Sequence, residues 1–295
     1  MAIPRISSYP LPTRRPENRS QWTLEPNKAV LLVHDMQSYF VNFYDPKAAP
    51  MAELVSQIKA LINTAKAAGI PVVYTAQPAE QPAHLRALLT DFWGTGLGQA
   101  DTPIITEIAP ETGDKVYTKW RYSAFKRSSL LEDMQAQGRD QLIICGIYAH
   151  IGVLATALDA FMSDIKPFVV ADAVADFSAK EQQQALEYVA TRCGQVQLLQ
   201  EITEACATTT AKSTSITLAE MQQAVADTLH INTTEVDPEE NLLYLGLDSI
   251  RVMALVEQWR GQGVAVTLAD LAAGENLTQW HDIIAAKSNQ VEQAL

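Results

Sequence analysis

The stretch ICGIYAHIGVLATALDAF, residues 144–161, has the pattern of a strand that breaks into a tight turn and then starts a helix. Many α/β enzymes present a nucleophilic side chain at a turn of this kind. Here the turn contains His150, Ile151 and Gly152, and the first hydroxyl or thiol after it belongs to Thr156. An enzyme built on this turn would need a chemistry that does not begin with attack by a side chain.

Polar or aromatic side chains stand at the ends of four apolar segments elsewhere in the first 200 residues. In open α/β sheets, ligands bind at the carboxyl ends of the strands. Any one of these side chains could simply solvate a loop, but four at one sheet edge predict a pocket. They are Asp35, Gln77, Lys119 and Tyr148.

Short apolar segments alternate with helical patterns from Lys28 to about Leu199. Segments that are apolar on both faces suit buried parallel strands covered by helices on either side. We therefore predict an α/β domain, doubly wound, with a mostly parallel six-stranded sheet and helices on both faces. The six predicted strands lie within residues 29–35, 70–77, 114–119, 141–148, 166–174 and 195–199.

The C-terminal part of the chain has a different organisation. The stretch ACATTTAKSTS has no periodicity and predicts a flexible linker over residues 205–216. Helical patterns follow it, and they predict a small all-α, four-helix bundle over residues 217–288. The α/β domain would then span residues 1–204.

Charge divides the chain in the same way. The net charge is −12, and the part from Thr217 to Leu295 holds 12 acidic and 3 basic residues. Nucleic-acid binding is disfavoured, because phosphate contacts require clustered Lys and Arg. No apolar segment approaches the ~20 residues of a membrane helix, and the N-terminus lacks the apolar part of a secretory signal. With three cysteines at unrelated spacings, we expect a cytoplasmic protein without disulfides.

One serine stands in the most specific motif of the chain. Ser249 follows Leu245-Gly246-Leu247-Asp248 and precedes an amphipathic helix. It could merely cap that helix. It could instead carry 4′-phosphopantetheine on its hydroxyl, since an anionic phosphodiester is favoured at a helix N-terminus. The surrounding motif and the acidic bundle favour attachment.

This bundle resembles the thiolation, or peptidyl and aryl carrier, domains of nonribosomal peptide synthesis, over about residues 217–288. The resemblance implies 4′-phosphopantetheine as a covalent cofactor on Ser249. It also implies that Met253 and the stretch from Leu268 to Ala272 contribute to a surface on which synthetase partners dock. The alternative, that these residues belong to the core of the bundle, is about equally plausible from the sequence.

A second resemblance covers the first 200 residues. The phrases LLVHDMQSYF, VVYTAQP, TKWRYSAF, GIYAHIGVLATALDAF and VADAVADFS resemble the isochorismatase-like hydrolase superfamily. The two motifs together resemble the bifunctional isochorismatase and aryl carrier proteins of catecholate siderophore pathways. The resemblance implies hydrolysis of isochorismate and carriage of 2,3-dihydroxybenzoate as a thioester for siderophore synthesis.

The superfamily's amide-cleaving members use an Asp, a Lys and a Cys. Matched by motif, Asp35 and Lys119 take the first two places, and Gly152 stands where the Cys would be. Isochorismate contains a vinyl ether, which hydrolyses after protonation at carbon and needs no enzymic nucleophile. We therefore predict that burial raises the pKa of Asp35 and that protonated Asp35 is the acid. Lys119 would hold substrate charge and orient Asp35.

Other residues have weaker predicted roles. Gln77 and Arg86 match the family's carboxylate- and hydroxyl-binding positions, although Arg86 could equally be a solvated helix residue. Tyr148, Phe43 and Trp93 are expected to line the pocket. No cluster at ligand spacing predicts a metal site, and magnesium binding at acidic surface groups is left open.

Three further side chains could be mistaken for catalytic groups. His34 precedes Asp35, and alternation along a strand places it behind the sheet. His150 is the better candidate for contact with the substrate. Cys145 lies inside an apolar segment, which is typical of an inert packing residue.

The resemblance also implies partners. A phosphopantetheinyl transferase must act first, a 2,3-dihydroxybenzoate-adenylating ligase would load the thiol, and a nonribosomal peptide synthetase condensation domain would unload it. We expect a homo-oligomer through the hydrolase domain, by analogy with related enzymes. Two rival interpretations are an α/β domain that is only a scaffold and an amidohydrolase that uses Cys145.

Overall fold

A computed structural model of the 295-residue chain describes residues 3–213, 216–261, 264 and 266–292. Contacts divide the chain into two compact units, Met1–Cys206 and Ala207–Leu295. The predicted domain division, with a linker at 205–216, falls close to this boundary. None of the helices in the described residues is long and apolar enough to cross a membrane.

The first unit contains a six-stranded sheet in which every pair of neighbouring strands is parallel. All residues of β1 and β4 are buried, as expected for strands with helices on both sides. The predicted sheet is therefore confirmed. The strands are β1 (Ala29–His34), β2 (Val72–Ala76), β3 (Lys115–Thr118), β4 (Gln141–Ile147), β5 (Lys166–Ala175) and β6 (Gln195–Gln197).

The strand order β3-β2-β1-β4-β5-β6 determines where a ligand can bind. The chain builds one half of the sheet outward from β1 to β3 and the other half from β4 to β6. Between β1 and β4 the order reverses, which opens a crevice at the carboxyl ends of these strands. Asp35 follows β1, and Tyr148 follows β4.

Helices cover both faces of the sheet and bury two separate cores. In β1, Leu31 and Val33 belong to one core, while Val30 and Leu32 belong to the other. Helix α2 buries residues at helical spacing against the first core. The helices of this unit are α1 (Ser38–Val41), α2 (Met51–Ala67), α3 (Ala83–Arg86), α4 (Leu89–Trp93), α5 (Leu130–Ala136), α6 (Leu154–Met162), α7 (Ala179–Tyr188) and α8 (Leu199–Ser213).

The predicted linker is partly wrong. Helix α8 continues to Ser213, so residues 205–213 are helical, and residues 214–215 of the predicted linker lie outside the described residues. The stretch contains no Gly or Pro, and Ala and Lys are good helix formers, so nothing in it stops a helix that has already started.

The second unit is the predicted bundle of helices. Its core includes Trp259 and Trp280, whose rings meet edge to face at 6.2 Å between centroids. Thr217 and Glu220 form a reciprocal cap at the first helix of the unit. The helices are α9 (Leu218–Leu229), α10 (Ser249–Gly261), α11 (Leu268–Leu271) and α12 (Leu277–Glu292).

Candidate active site and carrier site

Asp35 stands at the point where β1 turns out of the sheet. Its φ of 51° lies in the left-handed region, which Asp tolerates better than most residues. The carboxylate is buried and has two partners on neighbouring strands. Thr75 donates from Oγ1 to Oδ1 at 2.8 Å, and Lys119 donates from Nζ to Oδ2 at 2.8 Å. The sheet order therefore brings together the predicted Asp–Lys pair.

The protonation state of Asp35 differs from the prediction. Burial raises the pKa of Asp35, but the Lys119 charge, the His34 ring and the hydrogen bonds from Lys119 and Thr75 outweigh it, so that the pKa lies below its ordinary value. Asp35 is therefore a carboxylate at neutral pH. From the sequence, burial was expected to dominate, but the charge and hydrogen bond of Lys119 outweigh it.

A pocket lies over this ion pair, at the carboxyl ends of the strands, where α/β enzymes bind small molecules. The predicted residues Gln77, Arg86, Tyr148, Trp93 and Gly152 all line it. Other lining residues that the sequence analysis did not identify are Ile3, Tyr39, Phe40, Leu89, Leu97, Tyr122, Ile147, Ile151 and Phe177.

Phe43 was predicted to line the pocket and lies outside this cavity. It is half-buried and packs edge to face on Tyr39 at 5.7 Å. Helix α1 ends at Val41, and it is Tyr39 and Phe40 within this helix that contact the cavity. The sequence showed three aromatic residues in this segment, but not which of them faces the sheet edge.

Arg86 is buried rather than solvated. Its Nε donates to the carbonyl of Gly94, and Nη2 approaches the carbonyl of Trp93 at 3.4 Å. Nη1 has no hydrogen-bond partner, and no carboxylate pairs with this guanidinium within the described part of the chain. A buried cation without an acidic partner is costly. Its position on the cavity wall indicates an anionic ligand.

The remaining wall is aromatic. The Tyr148 hydroxyl donates to the carbonyl of Phe40 at 2.8 Å, and its ring meets Phe177 at 4.6 Å. Trp93 donates from Nε1 to the hydroxyl of Tyr122 at 2.8 Å. These contacts fix the rings as a shaped apolar wall opposite the charged groups.

Gln77 is held by an exchange of hydrogen bonds with Gln37. The amide N–H of Gln77 donates to Oε1 of Gln37 at 2.7 Å, and Nε2 of Gln37 donates to the carbonyl of Gln77 at 2.9 Å. The backbone at the end of β2 is thereby fixed. Gln77 contributes to the cavity from this fixed backbone.

His34 was predicted to lie behind the sheet, and this was wrong. Its ring is fully buried, lines the cavity and lies against Gly152. Alternation along β1 puts His34 on the face of Val30 and Leu32, but at the end of the strand this face borders the cavity beside Gly152. Burial lowers the pKa of His34 to about 4, so the imidazole is neutral at neutral pH.

His150 and Cys145 take no part in the cavity. The His150 ring pairs with the Asp176 carboxylate at 2.5 Å, which holds the turn after β4. Cys145 is fully buried in the core, and burial raises the pKa of its thiol. A nucleophilic role for Cys145 is therefore not supported. No group of three His, Cys, Asp or Glu residues in the described ranges is placed to hold a metal.

Ser249 is the first residue of α10 and is exposed. The cap of this helix is Asp248, whose Oδ1 accepts from the N–H groups of Ile250 at 3.1 Å and Arg251 at 2.9 Å. The Ser249 hydroxyl makes no hydrogen bond to the part of the chain that the structure describes. It is therefore free for modification, and the capping interpretation of this serine is wrong.

The predicted docking residues lie on the surface of the bundle. Met253 is 53% exposed and Leu268 is 40% exposed, and Ala272 is also exposed. These values exclude the core alternative for Met253, Leu268 and Ala272, whereas Leu271 in the same predicted stretch is buried in the core of the bundle.

Comparison with known proteins identifies both units. A model of the isochorismatase domain matches residues 29–201, more than half of the chain. The chain belongs to the isochorismatase family. A model of the phosphopantetheine attachment site matches residues 219–282, so the second unit is a carrier domain.

Full-length relatives join the same two parts. The isochorismatase of Bacillus subtilis is 48% identical over 99% of this chain and 98% of its own length. Enterobactin synthase component B of Escherichia coli is 41% identical over 96% of this chain and 98% of its own. An isochorismatase family protein from Burkholderia thailandensis, 26% identical, superposes on 63% of this chain and 98% of its own with a TM-score of 0.57.

The buried ion pair of the isochorismatase domain gives a stability prediction. Lys119→Met leaves the Asp35 carboxylate buried without its cation, and we expect a loss of about 3–5 kcal/mol in the free energy of unfolding at pH 8. The pKa of the unpaired carboxyl would then lie above its unfolded value of about 3.9. The loss in the free energy of unfolding is therefore greatest at pH values above the pKa of Asp35 in the folded variant. It shrinks as the pH falls towards 4. Urea unfolding between pH 4.5 and 8 measures it.

The matched control is Lys66→Met, which removes a partly exposed lysine paired with Glu111 and Asp114. The free energy of unfolding that Lys66→Met loses should stay below about 1 kcal/mol, and this loss should not shrink as the pH falls to 4.5. Equal losses in the two variants, or a pH-independent loss in Lys119→Met, would contradict the buried pair.

Proposed function

We propose that the isochorismatase domain cleaves the vinyl ether of isochorismate by proton transfer from Asp35 to carbon. The products of this hydrolysis are 2,3-dihydro-2,3-dihydroxybenzoate and pyruvate. The observation that carries the proposal is the Asp35 carboxylate, which Thr75 and Lys119 hold beneath a cavity. The turn that could present a nucleophile there offers Gly152 instead.

The charges of the cavity explain how an ionised Asp35 becomes an acid. With Asp35 ionised, Asp35, Lys119 and Arg86 sum to +1, and with Asp35 protonated they sum to +2. Isochorismate carries two carboxylates, so the protonated site matches its charge. The substrate dianion raises the pKa of Asp35 and draws part of the Lys119 charge to itself. Asp35 thus takes up its proton together with the substrate.

The chemical steps then require no covalent intermediate with the enzyme. Asp35 gives its proton to the methylene carbon of the enolpyruvyl group, and the double bond becomes an oxocarbenium ion. Water adds to the cationic carbon and forms a hemiketal. The hemiketal loses its bond to the ring oxygen, which releases pyruvate and the ring diol. General acid catalysis of this kind contributes about 10²–10⁴-fold.

The other lining residues bind and orient the substrate in this proposal. Arg86 pairs with a substrate carboxylate through its free Nη1, and Lys119 pairs with the other. Gln77 binds a hydroxyl or carboxylate from the end of β2, while Tyr148 and Trp93 pack against the ring. Gly152 adds no side chain, and therefore no nucleophile, to this wall of the cavity.

The carrier domain holds 4′-phosphopantetheine, and we propose Ser249 as its attachment site. The fit rests on an exposed hydroxyl without a hydrogen bond, at the start of a 13-residue helix. When attached, the group supplies a thiol that carries 2,3-dihydroxybenzoate as a thioester for nonribosomal siderophore synthesis. Asp248 keeps the first turn of the helix capped, so modification of Ser249 removes no structural hydrogen bond.

Exposed apolar side chains on the carrier domain support docking of partner enzymes. Ile250 is 79% exposed, and with Met253, Leu268 and Ala272 it lies on the surface of the carrier domain. Buried aromatic and aliphatic anchors dominate most protein interfaces. A phosphopantetheinyl transferase, a 2,3-dihydroxybenzoate-adenylating ligase and a condensation domain are the proposed partners. The acidic surface of the carrier favours basic patches on them.

We also propose that the protein is cytoplasmic and forms a homo-oligomer through its hydrolase domain. Cys145, Cys193 and Cys206 are buried thiols that form no disulfide in the described residues, which suits the reducing cytoplasm. Homo-oligomerisation through the hydrolase domain is supported by exposed apolar side chains at the end of α6, where Phe161 is 45% and Met162 66% exposed.

Two substitutions separate the activities of the two domains. Asp35→Asn keeps the shape of the carboxyl but cannot supply the proton, so pyruvate release from isochorismate should fall at least about 10²-fold while phosphopantetheine loading is unchanged. Ser249→Ala should abolish loading, measured by mass, and leave pyruvate release unchanged. Wild-type rates in Asp35→Asn would contradict the acid role, and a loaded Ser249→Ala would contradict the attachment site.

Proton uptake tests the charge argument directly. The saturated lactyl ether of isochorismate has the same two carboxylates and cannot be protonated at carbon. Calorimetry in buffers of different ionisation enthalpy should show about one proton taken up when the wild type binds it at pH 7, and none with Asp35→Asn. Because the free Asp35 has a lowered pKa, the affinity of the wild type should fall about tenfold for each unit of rising pH near neutrality. Binding without proton uptake would contradict the proposal.

A further inference from the structure

His34 is a second polar side chain on the cavity that the proposed reaction has not yet used. Its ring is fully buried, and Nδ1 lies 2.8 Å from the carbonyl oxygen of Ile147. A carbonyl oxygen can only accept, so Nδ1 carries the proton of the neutral imidazole. Nε2 therefore presents a lone pair.

This lone pair has no donor. Nε2 makes no hydrogen bond within the described residues, although the atom is buried. The backbone of Tyr122 approaches the ring and raises its pKa, but not in hydrogen-bonding geometry. A buried acceptor without a partner costs about 1–3 kcal/mol, and such groups in folded proteins require an explanation. Because His34 lines the cavity, a molecule bound there is the candidate donor to Nε2.

The position of the His34 ring depends on the absence of a side chain at Gly152. A Cβ atom at position 152 would lie 2.8 Å from Nε2 of His34 and closer still to Cε1, which no real side chain accepts. The imidazole thus takes the space that any side chain at 152 would need. Glycine at this turn is what lets the Nδ1–Cε1–Nε2 edge of the ring reach the cavity.

We propose that Nε2 of His34 accepts the hydrogen bond of the water molecule that adds to the protonated vinyl ether. This inference rests on the proposed hydrolysis and adds a catalytic residue to it. The imidazole stands beside Asp35, with Nδ1 3.8 Å from Oδ2. The base for the water and the acid for the carbon therefore lie at the same end of the cavity.

Asp35 and His34 together provide all the proton transfers of the hydrolysis, and no reagent other than substrate and water is needed. Asp35 transfers its proton to the methylene carbon. As the water oxygen bonds to the cationic carbon, one water proton moves to Nε2, and the resulting imidazolium is stabilised by the newly ionised Asp35. The imidazolium then gives its proton to the ether oxygen as that bond to the former vinyl carbon breaks. The hemiketal hydroxyl returns its proton to Asp35, which leaves both groups as they began.

Two variants test the two ring nitrogens of His34 separately. In His34→Asn the amide NH₂ replaces Nδ1–H against the carbonyl of Ile147, and no acceptor replaces Nε2. In His34→Gln the amide oxygen reaches the position of Nε2. We expect kcat for pyruvate release to fall at least about 10²-fold in His34→Asn, with KM within about threefold of the wild type. His34→Gln should retain at least tenfold more activity than His34→Asn.

The other outcomes overturn the inference. A rise in KM with little change in kcat would mean that Nε2 binds a substrate hydroxyl rather than the water. Equal activity losses in both variants, together with lower unfolding midpoints, would mean a purely structural role. Wild-type activity in His34→Asn would remove His34 from the reaction. The wild type and Asp35→Asn in the same assay separate all of these from a failure of the hydrolysis itself.

Binding of the saturated lactyl ether keeps the test valid if a variant loses activity by misfolding. His34→Asn should bind it within threefold of the wild type. The close approach of the His34 ring to position 152 gives a second measurement. Gly152→Ala should weaken this binding at least tenfold in the wild type, but much less in the His34→Asn background, where Cε1 and Nε2 are absent. Equal effects in both backgrounds would show that the ring does not fill the space at 152.

Discussion

The site depends on one buried ion pair, Asp35 with Lys119, joined at 2.8 Å. Each charge needs the other, because a single charge in such a place is strongly destabilising. The sheet order supplies the pair, since Lys119 follows β3, Thr75 lies in β2 and Asp35 follows β1. A dianionic substrate disturbs this balance by offering Lys119 a second anion. In the proposed mechanism, the cation that pairs with Asp35 in the free enzyme is thereby the group whose partial loss to the substrate lets Asp35 be protonated.

Glycine at position 152 explains how this site differs from one that attacks with a side chain. The turn after β4 has the geometry of a nucleophile turn, but the space above Gly152 is filled by the imidazole of His34. In the proposed mechanism the same backbone supports acid chemistry on an activated double bond. The proposed site of the carrier domain needs no such precise geometry, because Ser249 is exposed and the proposal assigns the later chemistry to partner enzymes.

Much of this organisation could be predicted from the sequence. Buried strands read as apolar segments, and the strand-end rule placed Asp35, Gln77, Lys119 and Tyr148 at one cavity. The rest depended on tertiary structure. His34 lies at the cavity through its tertiary contacts with the turn after β4, and no local sequence pattern reveals this. The lowered pKa of Asp35 follows from a lysine 84 positions away. Hydrophobic periodicity also did not reveal that Phe40, rather than Phe43, lines the cavity. Nor did it reveal that the first part of the predicted linker is helical.

In the proposed mechanism the enzyme protonates the vinyl carbon, and water adds to the oxocarbenium carbon. Hydrolysis of isochorismate in H₂¹⁸O, followed by mass analysis of the ring product, tests this mechanism. We expect 2,3-dihydro-2,3-dihydroxybenzoate to contain no ¹⁸O, because the bond between the ring carbon and its oxygen is never broken. The label should enter pyruvate, trapped at once by reduction to lactate. ¹⁸O in a hydroxyl of the ring product would contradict the account, because water would then have attacked the ring carbon.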